Sequence, residues 1–276
     1  MGDCKYCGQP AGFLRWSHTE CKENHYLHLA KFKETIDHCF DKKIDFDEFD
    51  DTFRKLGQDG VISQKEVDQL FQLSFDEFAE KIINRGRITD EELEEIERFI
   101  KKTEWSEDRI DCHGFLSKVI YLHVNQSVQN GIVPTFHTIP KNVCPFILNP
   151  NEEIIWIFNN VDFYQTKLHK SYTGGSSGVS IRITKGVYYK VGGHKGRIES
   201  NYSLDYIDSG SIYLTTNGIY YKSYNQALEL PFNKLLTFEC DSRCIKIQLK
   251  TSRSNLMKFS NVDPDLINNT LHSFIS

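Results

Sequence analysis

Four residues near the start of this 276-residue chain combine ligand chemistry with ligand spacing. Cys4-Lys5-Tyr6-Cys7 and His18-Thr19-Glu20-Cys21 give a C-x2-C pair and an H-x2-C pair, three soft thiols and one borderline imidazole. Two residues between ligands let one tight turn aim both side chains at the same ion, and Gly8 supplies the backbone angles such a turn wants. His18 and Cys21, three apart, share one face if a helix starts there and runs toward Lys31. Three thiolates and an imidazole close a tetrahedron, so the expected ion is a structural zinc that replaces a core too small to form locally. His25 and His28 follow on the same expected helix as alternative imidazoles for His18. Redox chemistry at Cys4 and Cys7 lacks the βαβ surroundings it needs.

A second concentration of chemistry lies at 163–198. It holds Lys167, Lys170, Arg182, Lys185, Lys190, Lys195 and Arg197, no Asp or Glu, and the interleaved rings of Tyr164, Tyr172, Tyr188 and Tyr189. The glycine-rich stretches 172–178 and 192–196 are expected as loops beside strands, where free backbone N–H groups and nearby cations can cradle an anion. Such cations neutralise phosphates of lipid or nucleic acid, and a ring such as Tyr188 stacks on bases in the second case. Two plainer readings stand beside this one: a solvated outer face of a sheet, or docking on a protein surface, the chain's own acidic middle included. No helix-opening Gly-Lys-Ser/Thr follows the glycines, so nucleotide hydrolysis is not expected.

No enzyme is expected either. G-x-S-x-G, H-E-x-x-H and kinase-type sets do not occur, and Cys112 and His113, adjacent in sequence, point apart on a helix. Cys39, Cys112 and Cys144 read as small apolar residues. Cys240 and Cys244 would need distant partners to hold a metal.

The elements that must position these residues follow from period and charge. Residues 22–112 carry a balance of −10 and residues 113–276 one of +5, which predicts modules that meet different partners. Residues 24–128 read as helices. A phrase recurs at Ile44-Asp45, Ile62-Ser63 and Ile88-Thr89: Ile, a capping residue, two spacers, Glu, then an apolar residue. This is a capping box, so each phrase predicts a helix start, and Ser74-Phe75-Asp76-Glu77 predicts a fourth. A calcium loop fails, because placing Gly60 at its sixth position puts Lys55 and Gly57 where oxygen donors belong. From Pro134 the period becomes alternating, with strands expected at 153–158, 179–183 and 243–250. Asn217-Gly218 predicts a hairpin, and Asp263-Pro264 starts a closing helix.

Three resemblances extend this reading. The Cys4–Cys7 knuckle, a short hairpin expected over Gly12-Phe13-Leu14-Arg15-Trp16 and the helix toward Lys31, in that order, resemble a treble-clef zinc ribbon. Gly60-Val61-Ile62-Ser63-Gln64-Lys65-Glu66, and its repeats, resemble phrases of the tellurite-resistance TerB family. Gly210-Ser211-Ile212-Tyr213-Leu214-Thr215-Thr216-Asn217-Gly218-Ile219-Tyr220-Tyr221, with Leu230-Pro231-Phe232-Asn233-Lys234-Leu235-Leu236-Thr237-Phe238-Glu239, resembles the bacterial pleckstrin-homology-like (GRAM-like) domain. The last resemblance implies a bent β-barrel plugged by a final helix. Asn217-Gly218 departs from the family's Asn-Lys-Arg and removes a basic residue there.

The sequence thus predicts an α+β chain: a zinc ribbon at 1–30, an acidic all-α domain at 31–130 and a basic PH-like antiparallel β-barrel at 131–276. The composition, 39% hydrophobic and 26% charged, excludes a disordered chain, and no apolar run reaches membrane-spanning length. No secretory signal is recognisable, and eight cysteines suit a reducing cytoplasm better than a disulfide scaffold. The expected function is a non-catalytic adaptor for a protein partner or anionic surface, with nucleic acid or phospholipid binding through 163–198 as the alternative. By analogy with the resembled modules it belongs to a bacterial stress or phage-response system, in the cytoplasm or at the membrane periphery.

Overall fold

A computed structural model describes residues 2–12, 15–42, 44–136, 138–184, 187–251 and 255–274; the side chains of residue 42 and of residues 170–200 fall outside the description. The chain divides into two compact units, Met1–Ser127 with Pro134–His137, and Val128–Val133 with Thr138–Ser276.

The first unit is helical: α1 (Thr19–Lys42), α2 (Asp50–Asp59), α3 (Gln64–Arg85), α4 (Asp90–Thr103), a single turn α5 (Glu107–Ile110), and α6 (Phe115–Gln129), whose last turn enters the second unit. Two of the expected caps form complete boxes. Glu66 N donates to Ser63 Oγ at 3.4 Å while Ser63 N donates to Glu66 Oε2 at 2.8 Å, and Thr89 and Glu92 repeat the exchange at 3.3 and 3.0 Å. Asp45 accepts from Asp47 N and opens a 3-10 turn, Phe46–Phe49, ahead of α2. The start expected at Ser74 does not exist: Ser74 is buried in the middle of α3. An unbroken apolar face, Phe71, Phe75, Phe78, Ala79 and Ile82, carries the helix through it. Phenylalanines make the core, with Phe40 stacked on Phe78 at 4.5 Å and Phe75 on Phe99 at 4.8 Å.

The second unit is a seven-stranded antiparallel sheet, curled into a half-barrel, in the order β4-β3-β2-β1-β7-β6-β5. Its strands are β1 (Ile154–Thr184), β2 (Val187–Thr215), β3 (Gly218–Ser223), β4 (Ala227–Pro231), β5 (Leu235–Asp241), β6 (Cys244–Leu249) and β7 (Met257–Ser260). The expected Asn217-Gly218 turn joins β2 to β3. It is held by Thr215, whose Oγ1 donates to buried Glu152 at 2.6 Å and accepts from Asn217 N and Gly218 N. Phe163, Tyr221 and Phe259 pack at 5.0–5.3 Å in the core, and α7 (Pro264–Phe274) closes on β5. The glycine-rich stretches expected as loops are corrected here. β1 and β2 pair straight through them, with Gly174 opposite Gly196 and Gly178 opposite Gly192. Cross-strand hydrogen bonds in a continuous ladder override the weak strand preference of glycine.

Candidate metal centre

Residues 2–10 fold as a knuckle. Asp3 bridges Pro10, Cys4 N donates to Gln9 O at 2.8 Å, and Gly8 N returns to Cys4 O at 2.8 Å. Gly8 sits at φ +72°, the left-handed region that this return requires and that a side chain would strain. Lys22 N donates to His18 O at 3.0 Å, so His18 stands at the entrance of α1 and Cys21 in its first turn. Knuckle and helix entrance therefore meet.

The four expected ligands converge. The ligand atoms of Cys4, Cys7, His18 and Cys21 lie within 4.8 Å of one another, which identifies a group able to hold a metal ion. His18 Nδ1 is 3.4 Å from Cys7 Sγ and 3.7 Å from Cys21 Sγ. Bonds of about 2.3 Å to sulfur and about 2.0–2.1 Å to nitrogen in a tetrahedron put sulfur and nitrogen about 3.6 Å apart, between those two distances. The ring is also preset. Its Nε2 lies 3.1 Å from Pro10 O, which can only accept, so Nε2 carries the proton and Nδ1 keeps its lone pair for the ion.

Burial and charge prepare the thiols unequally. Burial opposes ionisation of Cys4, yet backbone donors of Cys7, His18 and Tyr6 outweigh it and bring the thiol down to about 6. Burial pushes Cys21 up to about 11, assisted by the neighbouring sulfurs of Cys7 and Cys4. A divalent cation relieves that sulfur–sulfur repulsion.

His25 and His28, the alternative imidazoles, are engaged elsewhere. His25 is buried, with Nδ1 2.7 Å from Gly60 O and Nε2 3.1 Å from Glu66 Oε1, while the ring of Tyr6 packs on it at 4.6 Å. Both ring nitrogens are therefore occupied by oxygens of the α3 cap region and neither is free for an ion. Tyr6 lies between two ligands, so this stack ties the knuckle to the cap of α3. His28 Nδ1 meets Asn24 O at 2.8 Å. A Cβ on Gly60 would come within 2.4 Å of His28 Cβ, so Gly60 is there for close approach rather than for a special turn angle. The sequence hinted at this junction only through Glu66, which the capping reading had already explained.

The basic segment is only partly visible. Lys167 is exposed on β1, opposite Ser203 of β2. Lys170, Arg182, Tyr188, Lys190, Lys195 and Arg197 stand on the paired backbone, but their side chains lie outside the described residues, as does Lys185 altogether. On the acidic unit, Lys102 pairs with Asp47 at 3.0 Å and also with Asp50, and Arg98 with Glu95 at 2.7 Å. Three of that unit's carboxylates are thus paired with its own cations. Among the described residues no helix is long and apolar enough to cross a membrane.

Set against protein-family models, curated proteins and solved structures, the chain has no match in any of the three.

Proposed function

We propose that this chain is a non-catalytic adaptor, stapled at its front by one structural zinc ion and recognising its partner through the β unit. Three thiolates and one imidazole suit zinc and leave no coordination position for substrate. The knuckle followed by a helix supports the treble-clef resemblance, and a curled antiparallel sheet followed by α7 is compatible with the PH-like one. The TerB resemblance rests on the capping boxes at Ser63 and Thr89.

The observation that carries the recognition reading is the β1–β2 arm. β7 pairs with β1 only as far as Gln165, and β3 with β2 only from Gly210, while the β1–β2 ladder continues to Thr184 opposite Val187. Nineteen residues of β1 beyond that point, 166–184, span about 60 Å at about 3.3 Å per residue. A two-stranded ribbon is marginal alone in water and gains from a surface to lie on.

The seven cations and missing acids of 163–198 favour a second reading, a phosphate-bearing ligand. One comparison separates the two. The full chain and a variant with 170–200 replaced by an Asn-Gly turn are tested on anionic vesicles, on DNA and RNA, and in partner capture from cells. The adaptor reading expects a protein captured by the full chain alone, at equal metal content. Binding to vesicles or nucleic acid that collapses with salt supports the second reading. An armless variant that captures the same protein contradicts the first.

A further inference from the structure

We infer that the base of the β1–β2 arm is a self-complementary interface through which two copies of this chain pair edge to edge along β2. The polar–apolar pattern of the ladder is inverted at the base of the arm. Val161 and Phe163 turn into the core at 0% and 1% exposure, so the alternate residues of the ladder face away from it. On that outward face stand Tyr206, Leu204 and Tyr202, opposite Tyr164, Thr166 and Leu168. A solvated face should be polar there. Instead Tyr202 is 68%, Tyr206 55%, Leu168 42% and Leu204 41% exposed. The polar residues take the other face, where Asp205 meets His169 at 2.7 Å and Ser203 at 2.6 Å.

The backbone beside this stripe is open. Thr166 N donates to Leu256 O at 2.9 Å, away from β2, so the Thr166–Leu204 rung is a non-hydrogen-bonded one. Leu204 must then direct its own N–H and C=O to the outer edge, as do Tyr202 and Tyr206 two residues either way. Among the described residues no strand pairs with that edge below Gly210. An exposed edge with an apolar stripe is a template for another strand.

The sequence of the edge selects a second copy as that strand. Tyr202-Ser203-Leu204-Asp205-Tyr206 reads almost the same in both directions about Leu204. Antiparallel pairing about a two-fold axis at Leu204 sets Tyr202 against Tyr206 of the other copy, and Ser203 against Asp205. Leu204 meets itself. Tyr rings meet across the strands, each Asp205 faces a neutral serine, and no like charges oppose. This is what an isologous contact demands of one patch. The ladder is short because the register shifts at Ile207, between the Phe163–Asp208 and Tyr164–Tyr206 rungs. Pairing here does not depend on what the distal arm binds.

The test uses the full chain with its metal retained. Sedimentation velocity should show a species of twice the chain mass that grows with protein concentration. Leu204→Lys, which sets two ammonium groups on the self-paired rung, should return the monomer with unchanged metal content and circular dichroism. Crosslinking checks the register in a background lacking the exposed thiols of Cys112 and Cys240. A self-paired rung brings its Cα atoms to about 5.5 Å, within disulfide reach, so Leu204→Cys should form a covalent dimer under oxidised glutathione. Tyr202→Cys alone should not crosslink, whereas Tyr202→Cys mixed with Tyr206→Cys should. A monomer at every concentration overturns the inference. So does a dimer that survives Leu204→Lys and fails to crosslink through Leu204→Cys, because it then uses another face.

Discussion

His18 shows how little freedom the candidate centre leaves to its ligands. Pro10 O fixes the proton on one nitrogen and two sulfurs approach the other, so His18→Ala should lower metal content from one equivalent toward none, as should Cys4→Ser. Cys39→Ser should not, since Cys39 is buried in α1 away from the cluster. Elemental analysis of the purified variants reads the difference. Proton competition has a definite sign. With Cys21 pushed up to about 11, binding near neutrality has to displace its proton. Affinity measured against a chromophoric chelator should therefore rise with pH, and fall further once acid protonates Cys4 as well. Glu66 provides a separate acid response. Burial opposes its ionisation, but the Ser63 hydroxyl and amide and the His25 ring hold its carboxyl below the ordinary range. Its contribution to stability is complete above the ordinary carboxylate range and is lost as pH falls through the lowered value. Glu66→Gln should flatten that acid limb of the stability profile.

Helix starts separate what is written locally from what is not. Ser63→Ala and Thr89→Ala should each cost about 1 kcal/mol in denaturant unfolding, because each removes one side of a complete box. Ser74→Ala should cost nothing or stabilise, because the Ser74 hydroxyl is buried without a hydrogen-bond partner. A loss at Ser74 as large as at Ser63 would refute this account of α3. Ser63 and Ser74 both lead a Ser-x-x-Glu phrase, so the local pattern could not tell them apart; the apolar face running through Phe71, Phe75 and Phe78 decided. The four-residue Cys/His group was legible because its spacing is local within each pair. The β1–β2 register was not, because it depends on pairings such as Gly174 with Gly196 that only the partner strand supplies. Gly60→Ala should cost about 1–3 kcal/mol, through its collision with His28 rather than through backbone angle.

At the scale of the molecule, the knuckle belongs to the helical unit rather than standing apart from it. Tyr6 between the ligands packs on His25, which reaches Gly60 and the Glu66 cap of α3, all within Met1–Ser127. Metal removal should accordingly lower the melting transition of the helical unit, and leave the transition of the β unit in place. Differential scanning calorimetry with and without a strong chelator reads both; equal shifts of the two would contradict the assignment of the metal to one unit. Cys4, Cys7, His18 and Cys21 are proposed to hold a single closed structural ion. X-ray absorption spectroscopy of the purified protein tests it most directly. One zinc per chain is expected, bound by three sulfurs and one nitrogen at about 2.3 and about 2.0–2.1 Å and unchanged by added small ligands. Metal-free protein, a shell richer in nitrogen and oxygen, or a site that takes up an added ligand would contradict it.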